Sequence, residues 1–200
     1  LAALALLAAC VWLAMRPVAG GDEPATAASP SRASRPAARA ATATAVTPGL
    51  RRLGWLFMAV LVVQISWGGL VAGLKAGHAA DTWPLIFGRL VPAGLFTAAP
   101  TIWQSLAEVP LGAHWVHRWL AWVVLAAAAA LAVAARRAGA AGIARPAAAL
   151  VALVAVQIAL GVSVIVARVP LPLALLHQAT GVAVFALAVV TLRRLLAPQR

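Results

Sequence analysis

Four apolar runs, at approximately 53–74, 115–135, 146–167 and 173–194, constrain this chain more than any other feature. Each is close to the ~20 residues that a helix needs to cross a bilayer. In hydrocarbon every backbone N–H and C=O must pair within the protein, so runs of this length fold as helices packed on one another. The expected fold is an all-α membrane protein, a four-helix transmembrane bundle over residues 53–196. Composition agrees: of 200 residues, 64% are hydrophobic and 10% charged, and the mean hydropathy is +0.97. A soluble domain is roughly half apolar.

Two segments precede the bundle. Residues 1–15, "LAALALLAACVWLAM", begin without Met and without a basic n-region. They are expected to be the end of a truncated transmembrane helix, a cleaved signal peptide being the alternative. Residues 16–52 are rich in Pro, Ala, Ser, Thr and Arg with no apolar period, and are expected to form a disordered linker. Cys10 is the only cysteine, which excludes an internal disulfide and a thiolate metal cluster.

Charge sets an expected orientation. Of the 16 Lys and Arg residues, only Lys75, Arg89, Arg118 and Arg168 fall at one end of the predicted bundle. The rest share the other end with the linker. The positive-inside rule then makes the linker and the C-terminus cytoplasmic and the 75–114 connection external, in a cell (inner or plasma) membrane. Trp67, Trp83, Trp103, Trp115 and Trp119 cluster toward the outer boundary as an aromatic belt would. The net charge of +12 is spread around apolar runs, not gathered in a basic groove with interleaved aromatics, so nucleic acid is not an expected partner. Within the long connection, "TIWQSLAEV" has the character of a short interfacial helix. The other hairpin closes through a tight "RVPLP" turn, where Pro170 and Pro172 end one helix and start the next.

The chain contains an internal repeat. "VQISWGGLV" at 63–71 aligns with "VQIALGVSV" at 156–164, an offset of 93. The following helices also correspond, "WVHRWLAWVV" at 115–124 against "LLHQATGVAV" at 175–184. Two copies of one helical hairpin, related by a pseudo-twofold axis along the membrane normal, would produce this pattern. Chance similarity among Leu/Ala/Val-rich segments is the competing account. Under the repeat, His117 and His177 lie at equal depth and face each other. Ionisable residues in a membrane are costly and normally face a functional interior.

Two such histidines have the arrangement for bis-imidazole ligation of a heme. Small residues near each ligand would let a flat ring approach the backbone: Gly181 and Ala174 for His177, Ala121 and Ala113 for His117. Arg118 could pair with a heme propionate. Interhelical hydrogen bonding is the alternative for both histidines, and is the expected role of Gln64 and Gln157. Gly69-xxx-Gly73 reads as ordinary helix packing. His114, placed nearer water, and His78 are expected to be solvated at the interface, an outer metal site with Asp81 and Glu108 being the alternative. No nucleophile–base pair, phosphate loop or paired carboxylates occur, so no catalytic residue is assigned.

At "GGLVAGLKAGHAADTWPLIFGRLVP" (68–92), "HWVHRWLAW" (114–122) and "VPLPLALLHQATGVAVF" (169–185) the sequence resembles the heme A synthase family. The resemblance covers roughly residues 53–196 and fits the C-terminal half of an eight-helix protein. It implies oxidation of the heme O C8 methyl to the formyl of heme A, for cytochrome oxidase assembly. The C-terminal half would hold a cofactor heme b for electron transfer, with His117 and His177 as iron ligands. It further implies heme O as substrate, and a heme O synthase and an electron donor as partners, with lipid around the bundle and scope for a homo-oligomer. A membrane b-type cytochrome-like carrier without oxygenase activity is the alternative. The family's catalytic half has a glutamate three residues before a His-Arg pair, and here His114 holds that position. This segment alone is therefore expected to be inactive.

Overall fold

A computed structural model describes residues 2–14 and 46–197. The chain forms α1 (Ala2–Ala14), α2 (Pro48–Gly73), a 3-10 turn (Ala76–His78), α3 (Ile102–Ala107), α4 (Pro110–Arg137), α5 (Ala141–Val166) and α6 (Leu171–Leu196). There is no β-strand among the described residues. Among the described residues four helices are long and apolar enough to cross a membrane, and they make a helical membrane bundle. At 26 to 28 residues each is about 40 Å long, so its ends pass beyond the ~30 Å hydrocarbon layer.

Each spanning helix starts where local chemistry allows it, not where the apolar run begins. Thr47 caps α2 by accepting a hydrogen bond from the N–H of Leu50 at 3.2 Å, with Pro48 opening the first turn. The helix thus begins five residues before the apolar run. Pro110 opens α4, and Pro172 lies in the first turn of α6. Helix α5 begins at Ala141 and carries Pro146 inside it. Pro146 has no N–H for the carbonyl of Gly142, four residues back. The Arg194 guanidinium donates to that carbonyl at 3.2 Å, so the proline is accommodated. Hydroxyls within the spanning helices, those of Ser66, Ser163, Thr180 and Thr191, each donate to the carbonyl four residues back.

The helices pack in a ring: α2 touches α4 and α6, and α5 touches α4 and α6. The arginines Arg51, Arg52, Arg136, Arg137, Arg145, Arg193 and Arg194 therefore collect at one end, and the 75–109 connection lies at the other. Helix α1 leans on α6, with Leu7 and Val11 against the core and the Arg193 guanidinium 5.2 Å from the Trp12 ring centroid. The linker expected over 16–52 falls mostly outside the described residues. Its last part is ordered, because α2 starts at Pro48.

Burial follows the repeat. Leu50, Phe57 and Leu61 on α2 are buried, and so are Ile143, Leu150 and Val154, the residues 93 positions later on α5. Val124, Ala128 and Ala135 on α4 are matched by Val184, Ala188 and Leu195 on α6, 60 positions later. The continuous apolar cluster fills the arginine end. Toward the loop end its buried members stop at Leu61, Val124, Val154 and Val184. Beyond that level lie the repeat's glutamines, glycines and histidines.

The 75–109 connection folds down onto its end of the bundle. Ala80, Ile86 and Leu95 are buried there. The Trp115 indole donates to the carbonyl of Leu90 at 2.8 Å, and the Thr82 hydroxyl closes a turn by donating to Leu85 and accepting from the N–H of Phe87. Helix α3 lies so close to α4 that a Cβ on Gly112 would run into the carbonyl of Ser105. Aromatic pairs cluster at this end, Trp67 with Trp103, Phe96 with Trp115 and Trp83 with Trp122.

Candidate functional site

The two hairpins build the same local structure twice. The Gln64 side chain on α2 donates to the main-chain carbonyl of His117 on α4 at 3.1 Å. On α5, the Gln157 side chain donates to the carbonyl of His177 on α6 at 2.9 Å. One turn beyond each glutamine is a glycine facing the imidazole. A methyl group on Gly68 would sit 3.1 Å from Cε1 of His117, 3.6 Å from Nδ1 and 3.9 Å from Nε2. A methyl on Gly161 would meet the same three atoms of His177 at the same three distances. A Cβ at either place would crowd the ring, which would have to give by a few tenths of an ångström. The expected hydrogen bonding of Gln64 and Gln157 is observed, and its acceptors are the histidine main chains.

The two rings occupy equivalent places in the two hairpins, each beside the glycine one turn beyond its glutamine. Both Nδ1 atoms are buried without a hydrogen-bond partner, and so are Oε1 of Gln64 and of Gln157. Buried polar atoms are ordinarily paired. A polar pair of imidazoles, unfilled hydrogen-bonding capacity and an end of the bundle outside the apolar cluster suit a prosthetic group with a bis-imidazole metal centre. The residues present therefore fit a heme.

Other expected residues are placed differently. A Cβ on Gly181 would lie 3.2 Å from the Gln157 amide nitrogen, and that amide also lies 3.4 Å from Nε2 of His177. Gly181 thus makes room for the glutamine. Gly69 and Gly73 face nothing within 4 Å and do not tighten a helix pair within the described chain.

Arg118 is buried, at 5% exposure. Its guanidinium donates to the carbonyl of Pro84 at 3.4 Å, meets Nε2 of His114 at 3.4 Å and lies 5.1 Å from the Trp83 ring centroid. His114, expected near water, is only 4% exposed, because the folded connection covers the first turns of α4. His78 and Glu108 are exposed, and Asp81 forms an ion pair with Arg168 at 3.3 Å. Among the described residues no three His, Cys, Asp or Glu side chains are grouped to hold a metal ion, so the outer metal site is not assembled there. Gly68 and Gly161 were not singled out from sequence as site residues. Their signal was the repeat itself, which aligns them four residues after each glutamine.

Residues 1–189 match the family model of the COX15-CtaA cytochrome oxidase assembly proteins. A heme A synthase of Chelativorans sp. is 47% identical over 135 residues, which is 67% of this chain and 37% of that protein. One from Brucella suis is 41% identical over 140 residues, 70% of this chain and 38% of that protein. One from Rhodospirillum centenum is 36% identical over 151 residues, 75% of this chain and 40% of that protein. The chain thus spans about two fifths of the length of these relatives. No solved structure matches it. With a family match that takes in the repeat, both histidines and almost every described helix, this multi-pass membrane protein belongs to the heme A synthase family.

Proposed function

We propose that this chain is the cofactor-holding part of a heme A synthase. It binds heme b between His117 and His177, and serves electron transfer during oxidation of the heme O C8 methyl to a formyl group. The observation that carries the reading is the duplicated glutamine–glycine–histidine arrangement, with identical ring-to-glycine distances in both hairpins. A heme held by His117 and His177 would supply reversible one-electron chemistry.

The chain's own residues do the rest. Gln64 and Gln157 tie each histidine-bearing helix to its hairpin partner at the level of the ligand. Gly68 and Gly161 fix how far each imidazole can retreat. The buried cluster from Leu61, Val124, Val154 and Val184 onward closes the floor of the site and excludes water from that side. The Arg-rich end faces the cytoplasm of a cell membrane, by charge asymmetry. Heme O, a heme O synthase and an electron donor are the proposed partners.

Titration of the detergent-purified chain with heme, followed optically, tests the ligands. The expected product has a low-spin six-coordinate spectrum, lost in His117→Ala and in His177→Ala. An unchanged low-spin spectrum in either variant would sink the assignment. Formyl-heme in cells carrying the full-length gene, against none in cells with a disrupted gene, separates a synthase from a simple b-type carrier.

A further inference from the structure

Seven arginines stand at one end of the bundle: Arg51 and Arg52 on α2, Arg136 and Arg137 on α4, Arg145 on α5, and Arg193 and Arg194 on α6. No carboxylate among the described residues answers them. Asp81 and Glu108, the two described acids, belong to the 75–109 connection at the other end, where Asp81 is paired with Arg168. Asp22 and Glu23, which precede the bundle in sequence, are only two. Nε of Arg51 and Nη1 of Arg193 are buried without a hydrogen-bond partner. Helices about 40 Å long carry these side chains past the ~30 Å hydrocarbon layer, to the depth of lipid headgroups. The anions within their reach there are lipid phosphates.

One place at this end has room for a ligand. A cavity of about 590 Å³ lies between Val46, the 139–143 turn and Arg194, inside the ~300–1,000 Å³ range of small-molecule pockets. The Arg194 guanidinium reaches it from α6, held on the Gly142 carbonyl at 3.2 Å, and the side chain is otherwise exposed. A Cβ on Gly142 would meet nothing within 4 Å, so the space opens over the first turn of α5. The two hairpins differ at this point. Thr47 caps the start of α2 with its hydroxyl, whereas Ala140, 93 residues on, gives α5 no side-chain cap. A cation beside a helix N-terminus is unfavourable on its own, and an anion between Arg194 and the turn relieves both.

We infer that this cavity binds the phosphate of an anionic phospholipid in the leaflet at the arginine end, with Arg194 as the charged donor. A guanidinium donates to phosphate oxygens through charge-assisted hydrogen bonds. A zwitterionic headgroup would carry its ammonium into a cluster of arginines that has no carboxylate among the described residues to receive it. The site therefore selects headgroups of net negative charge.

Spin-labelled phosphatidylglycerol and phosphatidylcholine, each in phosphatidylcholine bilayers that hold the full chain, test the selection. The immobilised fraction of label reads the association of each headgroup. The wild type is expected to prefer phosphatidylglycerol by at least about fivefold, the effect of one arginine at a membrane surface. Gly142→Asp places a carboxylate in the cavity, where its Cβ has room and the helix start favours it. It is expected to cut the preference about fivefold with no loss of thermal stability. Arg194→Gln is expected to cut it as much, and where loss of the Gly142 contact prevents folding, Gly142→Asp alone decides. Arg52→Gln changes the charge by the same single unit outside the cavity lining, and is expected to alter the preference less than about twofold, because solvent screens exposed charges. No preference in the wild type overturns the inference, as does an undiminished preference in Gly142→Asp. Equal losses in Arg52→Gln and Gly142→Asp would mean a diffuse surface field instead of a site. Inorganic phosphate that abolishes the preference, against chloride at matched ionic strength, would make this a free-anion site and overturn the lipid assignment. None of these arms reads heme, so their outcomes stand apart from the bis-histidine reading.

Discussion

The first hairpin, α2 with α4, and the second, α5 with α6, agree where they bury residues and differ where they turn. Their inner faces match position by position, from Leu50 and Ile143 at one end to Gly68 and Gly161 at the other. Their loops do not. The second hairpin closes through Ala167–Pro170, while the first runs through the 75–109 connection, which supplies Trp83, Pro84 and the cover over His114. Even the first step out of the helix is shared, since Lys75 and Arg168 both adopt left-handed backbone conformations. The two loops diverge only after that residue. The core and the level of the histidines thus keep the duplicated pattern, and the asymmetry sits in the longer loop.

Removing either histidine is the strongest way to break the equivalence. His117→Ala and His177→Ala are each expected to lower heme affinity by at least about a hundredfold, more than a change in supporting residues usually costs. If one variant keeps near-normal affinity with a low-spin spectrum, the hairpins are not equivalent at the ligand. Crowding the rings should come next. Gly68→Val and Gly161→Val place bulk against Cε1, and each is expected to cost about 1–3 kcal/mol of heme binding. Because the two contacts have equal distances, the two losses should be equal within error, as read by heme titration.

A smaller effect sharpens the comparison. Gln64→Leu and Gln157→Leu each remove one interhelical hydrogen bond, worth about 1 kcal/mol in a membrane bundle. The loss should be larger for Gln157, whose amide also lies against the His177 ring. Unfolding midpoints in a denaturing detergent check the order, and a larger loss for Gln64 contradicts it. The smallest effect is expected at the surface. Asp81→Asn breaks the exposed pair with Arg168, which joins the long connection to the short turn of the other hairpin. Less than about 1 kcal/mol is expected in a thermal melt, because solvent screens exposed pairs.

Much of this architecture can be read from the chain. Apolar run length foretells four spanning helices, and the "VQI" repeat pairs His117 with His177 and aligns Gln64 with Gln157. Helix ends are less legible. The start of α5 before Pro146 depends on Arg194, fifty-two residues away, reaching the freed carbonyl. The glycines are legible as repeat members but not in their role. Gly69 and Gly73 have a familiar packing spacing and face nothing, while Gly68 and Gly161 have no such spacing and set the rings.

His114 and Gly181 show the same limit from another side. His114 looks exposed near a helix start and is buried, because a connection of irregular backbone folds over it. Gly181 looks like room for a ring and gives room to a glutamine on the neighbouring helix. By itself the sequence determined the number of spanning helices, their pairing into two like hairpins and the two histidines at equal depth. Hydrophobic length and repetition are local properties that the bilayer converts directly into structure. Only the tertiary structure decided which small residue faces an imidazole, which carbonyl a distant arginine satisfies and how the buried Arg118 is held. Each of those depends on side chains from different helices meeting, and chain order does not carry those distances.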